Sequence, residues 1–191
     1  MPVRILAISG SLRAASSNTA VVEAVAALAP ADVEIDVYAG LADLPPFNPD
    51  DDREPLNPSV ADLRVRVLSA DALFISSPEY AHGVPGVLKN ALDWLVGGEG
   101  EIVGKPIALV NAAPRATHAQ ASLAETLRTM STHVIPAASI TIDLAGRKPT
   151  PADILADPAL AGALRRALAA LADSAVSSPD VKAGRPTWQE G

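Results

Sequence analysis

Two stretches of this 191-residue chain carry side chains of a type and spacing suited to chemistry. The first is Ser9-Gly10-Ser11-Leu12-Arg13-Ala14-Ala15-Ser16-Ser17-Asn18-Thr19. A strand that feeds a helix through such a loop leaves backbone N–H groups free at the positive end of the helix dipole. Ser11, Ser16, Ser17, Asn18 and Thr19 can add hydrogen bonds, and Arg13 can meet an anion with a forked donor. That is the chemistry of a phosphate monoester site. Taken singly, Ser17 or Asn18 is a helix cap and Arg13 a solvated cation; taken together after a first strand, they point to phosphate. Neither Gly-x-x-x-x-Gly-Lys-Ser/Thr nor Gly-x-Gly-x-x-Gly opens this helix, which argues against a nucleoside triphosphatase or a Rossmann dehydrogenase.

The second stretch runs from Ser77-Pro78-Glu79-Tyr80-Ala81-His82-Gly83 into Val84-Pro85-Gly86-Val87-Leu88-Lys89-Asn90-Ala91-Leu92-Asp93-Trp94. One tyrosine, two glycines and two prolines make a stiff wall with exposed amides. A flat heterocycle needs such a wall, because ring binding combines apolar area with a few fixed polar groups. The plainer role for Tyr80 is a surface or interface tyrosine. His82, His118 and His133 have no metal-ligand spacing, and Asp50-Asp51-Asp52 reads as a solvated loop. Ser9 and Ser11 stand outside any Gly-x-Ser-x-Gly elbow.

The elements that must position these loops follow from periodicity. Val3–Ile8 is a short apolar strand, and Ala20–Leu28 is helical with Val21, Val22, Val25 and Leu28 on one face. Val33–Tyr38 alternates as a half-exposed strand. A Pro- and Asp-rich loop follows from Leu44 to Pro58, and Ser59 is the expected cap of a helix through Ala61, Leu63, Val67 and Leu68. Asp71–Ser77 reads as a buried central strand, and Val84–Val96 as a helix with Pro85 in its first turn. Pro106–Asn111 is the next strand, Ala119–Met130 a helix, Val134–Ala138 a fifth strand and Leu160–Ala172 a last helix. Strands that alternate with helices predict an α/β chain, its parallel sheet ordered 2-1-3-4-5 with helices on both faces. Ligand then sits at the carboxyl ends of the strands, on the loops after Ile8, Ser76 and Asn111. Residues 1–176 form one domain, and Ser177–Gly191 a tail that is mobile or lies on a neighbouring subunit through Trp188.

A composition of 49% hydrophobic but 3% aromatic residues makes a core of Ala, Val, Leu and Ile. The net charge of -7 argues against nucleic-acid and anionic-membrane partners, and the lack of cysteine removes thiol chemistry and disulfides. No leader and no run long enough to cross a bilayer is legible, so a cytoplasmic protein is expected.

With these motifs in hand, the chain resembles the NAD(P)H-dependent FMN reductases of the flavodoxin-like class, which include quinone, azo-dye and chromate reductases. Gly10-Ser11-Leu12-Arg13 with Ser16 and Asn18 matches that family's phosphate loop, and Pro78–Trp94 matches its ring-loop and helix motif at nearly every fixed position. The resemblance runs over most of residues 3–175. It implies a three-layer flavodoxin-like sandwich binding FMN, reduced by NADPH or NADH and reoxidised by a small electron acceptor. It places Ser11, Arg13, Ser16, Ser17, Asn18 and Thr19 around the phosphate. Pro78, Glu79, Tyr80, Ala81, His82 and Gly83 line the ring, with Ala113 and Pro114 opposite. The flavin supplies the chemistry, so no catalytic side chain is nominated. Lys89, Asn90 and Asp93 are expected to tie helix to loop or subunit to subunit, and a homodimer or homotetramer is implied.

Two departures from the family pattern stand out. The asparagine after the tyrosine is Ala81, and the usually Gly-rich loop after the fourth strand is Asn111-Ala112-Ala113-Pro114-Arg115-Ala116-Thr117-His118. Arg115 there could meet the 2′-phosphate of NADPH, or the loop's bulk could narrow the site. The rival to a reductase is a flavodoxin-like electron carrier that binds FMN without oxidising a nicotinamide directly; a domain that kept the fold and lost the flavin is the third possibility.

Overall fold

In Val3–Ser9 (β1), Ile5 and Ala7 face one way and Leu6 and Ile8 the other, and all four are buried. A strand apolar on both faces must be covered by helices on both sides. The computed structural model describes residues 1–177 and shows that arrangement. The other strands are β2 (Val33–Tyr38), β3 (Ala72–Ser76), β4 (Pro106–Asn111), β5 (His133–Val134) and β6 (Ile140–Thr141). All pair in parallel in the order β2-β1-β3-β4-β5, with β6 also on β4. The helices are α1 (Ser17–Leu28), α2 (Pro58–Ser69), α3 (Gly86–Val96), α4 (His118–Thr129), α5 (Pro151–Ala156) and α6 (Pro158–Ser177). This is the expected flavodoxin-like sandwich.

Alternation along the strands sorts the core into two layers. Leu6, Ile8, Leu73, Ile75 and Leu109 meet Leu63 and Val67 of α2, Leu92 and Trp94 of α3 and Leu127 of α4. On the other face Ile5, Ala7, Phe74 and Val110 meet Val21, Val22 and Val25 of α1 and Leu164, Leu168 and Leu171 of α6. Each fully buried aliphatic side chain contributes roughly 1.5–3 kcal/mol of transfer free energy. Parallel pairing sets Ser9 beside Ser76 and Ser76 beside Val110, so the carboxyl ends of β1, β3 and β4 finish level.

Four expectations change. The fifth strand is not the single run Val134–Ala138: it is split into β5 and β6, both on the outer edge of β4. Pro136 has no N–H for a ladder, and residues 135–139 turn back, Ala138 and Ser139 donating to the carbonyl of Ile135. Across the gap the Ser139 hydroxyl accepts from the Leu109 N–H at 3.1 Å, in place of the missing backbone partner. The helix expected from Val84 begins at Gly86, with Pro85 as its N-cap, and the cap of α2 is Asn57 rather than Ser59. The last helix runs from Pro158 to Ser177, longer than Leu160–Ala172, and is preceded by the unforeseen α5. Of the tail assigned to Ser177–Gly191, including Trp188, all but Ser177 lies outside the described residues.

Candidate flavin site

The turn after β1 is folded by its own hydroxyls. Gly10 donates to the Ser76 carbonyl at 2.8 Å, and a Cβ on Gly10 would stand 2.8 Å from the Ser77 hydroxyl, so the loop's approach to β3 requires glycine. The Ser9 hydroxyl accepts from the Ser11 N–H, and the Ser11 hydroxyl from the Arg13 N–H, each at 3.3 Å. Ser16, not Ser17 or Asn18, is the N-cap of α1, its side chain accepting from the Thr19 N–H. Asn18 is buried and its Oδ1 accepts from the Ser76 hydroxyl at 2.9 Å, which locks the start of α1 to the end of β3.

These anchors open a cavity of about 250 Å³ at the carboxyl edge of the sheet. The loop after β1 supplies Ser11, Arg13 and Ser16, the first turn of α1 Ser17 and Asn18, and the loop after β3 Ser77, Pro78 and Tyr80. Opposite them stand Asn111, Ala112, Ala113 and Ala116. Asn111 shapes that wall, donating through Nδ2 to the Ala116 carbonyl at 2.9 Å and accepting from the Ala113 N–H at 3.0 Å. The segment after β6, from Leu144 to Lys148, closes the remaining side. Eight of the fourteen expected residues, Ser11, Arg13, Ser16, Ser17, Asn18, Pro78, Tyr80 and Ala113, thus share one cavity.

The other six stand off its wall. The Thr19 hydroxyl pairs with that of Ser9 at 2.9 Å, inside the turn. Glu79 accepts from the Ala119 N–H at 2.8 Å through Oε2, compensating the start of α4 with its carboxylate. Tyr80 and Gly83 exchange backbone hydrogen bonds across Ala81 and His82, which hold φ of 49° and 62°. Two consecutive left-handed residues are the mark of a tight hairpin turn that favours asparagine and glycine. His82 stacks on His118, ring centroids 4.1 Å apart and 20° from parallel, so this turn leans on the start of α4. Pro114 and Arg115 are exposed on the loop after β4. Asn90, expected to tie helix to loop, donates to the Pro45 carbonyl and accepts from the Phe47 N–H, whereas Lys89 pairs with Asp93 within α3.

What sequence reasoning missed is the side after β6. Arg147 and Lys148 line the cavity with Arg13, and none of the three has a salt bridge among the described residues. Elsewhere Arg64 pairs with Asp52, Arg66 with Asp36 and Asp62, and Arg128 with Glu125. A chain of net charge -7 therefore keeps three uncompensated cations around one cavity. With the serine hydroxyls and the first N–H groups of α1, they fit a phosphate dianion. Pro78, Tyr80, Ala112 and Ala113 supply the apolar walls that a flavin ring requires.

Comparison with known proteins agrees with this geometry. Residues 3–146 match the family model of NADPH-dependent FMN reductase. An NAD(P)H-dependent FMN reductase of Pseudomonas aeruginosa is 35% identical over 135 residues, 69% of this chain and 72% of the relative. A quinone reductase of Escherichia coli is 35% identical over 107 residues, 55% of this chain and 57% of the relative. Among solved structures, a flavoenzyme NAD(P)H:(acceptor) oxidoreductase from Paracoccus denitrificans superposes with a TM-score of 0.73 at 27% identity, covering 92% of this chain and 98% of that one. The matched segment holds the loops after β1, β3 and β4 and most of the β6 side, and the chain accordingly belongs to the NADPH-dependent FMN reductases, a family of flavin-dependent oxidoreductases.

Proposed function

We propose that the protein carries electrons from NAD(P)H through bound FMN to a small acceptor of the quinone, flavin, azo or metal-oxyanion kind. The observation that carries this is one cavity lined both by three cations without a salt bridge among the described residues, beside the start of α1, and by Pro78, Tyr80, Ala112 and Ala113. Bound there, FMN supplies hydride acceptance and electron release. Arg13, the hydroxyls of Ser11 and Ser16 and the backbone N–H of Ser17 at the start of α1 hold its phosphate, while the Nδ2 of Asn18, unengaged among the described residues, is left to donate because Oδ1 is taken by Ser76. Pro78 and Tyr80 flank one side of the ring and Ala113 the other; Thr19, Glu79, Ala81, His82, Gly83 and Pro114 support those walls from behind. Tyr80, half exposed, stands at the mouth, where a nicotinamide and an acceptor can alternate. No side chain is needed as acid or base. We further propose a homodimer or homotetramer working in the cytoplasm, with residues 1–176 as the flavin domain.

The test is the absorption spectrum of the purified protein without air, before and after excess NADPH or NADH. A flavin band that bleaches within seconds is expected. A band that persists with both donors marks an electron carrier, and no band after incubation with FMN removes the flavin site.

A further inference from the structure

Arg147 and Lys148 line two cavities. Beyond the flavin cavity lies a second of about 250 Å³, and Leu144, Arg147 and Lys148 belong to both. The ridge between them is built. Leu144 donates to the Ala112 carbonyl at 3.1 Å, Arg147 to the Leu144 carbonyl at 3.0 Å, and the Ser17 hydroxyl to the Arg147 carbonyl at 3.2 Å. Gly146, with φ of 72°, lets the chain turn between them, and Thr150 fixes the far end by capping α5. The contact with Ser17 sets the two cations beside the start of α1, where a phosphate would sit.

The second cavity is chemically different. Its apolar lining is Leu144, Pro149, Ile154 and Leu160, and its polar groups are Asp153 and Asp157. Asp153 Oδ2 accepts from Thr150, and Asp157 Oδ1 from the Ala159 and Leu160 N–H groups; the other oxygen of each carries no hydrogen bond among the described residues. Free carboxylate oxygens accept from hydroxyls and amino groups and repel phosphate. A cationic ridge followed by an apolar pocket with two acceptors suits a phosphate that continues through a second phosphate into a nucleoside.

We propose that this cavity takes the adenosine of a flavin adenine dinucleotide, with its diphosphate over Arg147 and Lys148, so that the protein accepts FAD as well as FMN. Apolar side chains would cover the adenine, and Asp153 and Asp157 would accept from its amino group or the ribose hydroxyls. The inference rests on the flavin reading of the first cavity. Fluorescence titration of flavin-free protein with FMN and with FAD tests both.

Wild-type protein is expected to bind FAD within about tenfold of FMN, and Leu160→Trp, which fills the second cavity, to weaken FAD at least about tenfold while sparing FMN. The exposed double variant Arg147→Ala/Lys148→Ala, which leaves the core untouched, is expected to weaken FAD about tenfold more than FMN. FMN binding with FAD weaker by a hundredfold or so would overturn the dinucleotide site and leave the FMN site standing. Equal effects of either variant on the two flavins would overturn it too. Failure to bind either flavin would overturn both proposals.

Discussion

Arg13 and Tyr38 show opposite relations between a polar group and its surroundings. The Arg13 side chain is exposed and makes no hydrogen bond among the described residues, so its removal leaves none of them without a partner. Arg13→Ala should weaken FMN binding by about 1–3 kcal/mol, the loss of one charge-assisted bond, with thermal stability unchanged. Fluorescence titration with melting curves checks both halves. Tyr38 is buried, and its hydroxyl has no hydrogen-bond partner among the described residues. Burial, with Asp62 and Asp43 nearby and Arg66 opposing them, pushes its phenol up to about 12. A raised folded value means stability that is whole below the unfolded value near 10 and is lost as pH rises from there toward 12. Tyr38→Phe should therefore stabilise the protein by about 1 kcal/mol at neutral pH and flatten the loss above pH 10, measured by urea unfolding across pH. Of the two relations only the first was legible in sequence. Arg13 sits in a motif, whereas Tyr38 looks like any half-buried strand residue until its surroundings are known.

At the scale of elements, α5 rests on its cap. The Thr150 side chain accepts from the Asp153 N–H, and the Asp153 carboxylate accepts from both the N–H and the hydroxyl of Thr150. Thr150→Ala should cost about 1 kcal/mol of stability in chemical denaturation at neutral pH. The Thr150 hydroxyl and N–H hold the Asp153 carboxyl below the usual carboxylate range. The cap is then at full strength above the unfolded carboxylate value and fades as pH falls through the lower folded one, so the Thr150→Ala deficit should shrink in acid. The spacing Thr150-Pro151-Ala152-Asp153 was itself the signal that would have revealed α5, hidden by Pro149 before its cap, Pro151 at its first position and its six-residue length. β2 and β4 were legible to the residue because each is one uninterrupted strand with turn residues beyond it. The fifth strand was not, since Val134–Ala138 is apolar throughout and only tertiary pairing shows that Pro136 breaks it. For the same reason the loops after β1, β3 and β4 could be placed at the site in advance, but Leu144–Lys148 could not: its position depends on β6, which the sequence hides.

Over the whole molecule, acidic charge dominates, yet Arg13, Arg147 and Lys148 converge on one cavity. Their combined field should attract phosphorylated ligands and fade with ionic strength, because exposed charges are screened over roughly 10 Å at 0.1 M salt and roughly 3 Å at 1 M. Raising salt across that range should weaken FMN binding several-fold, by isothermal titration, and riboflavin binding much less. The two rims of the sheet bear on another property of the whole molecule. β2 carries Glu34 and Asp36 on one rim, and the other is divided into two-residue pieces around Pro136, with the Ser139 hydroxyl occupying the amide of Leu109. A foreign strand seeking to extend the sheet would find charge on one side and, on the other, no run of free amides long enough to zip onto. The break that disguised the fifth strand thus also guards a concentrated solution of this protein against edge-to-edge aggregation.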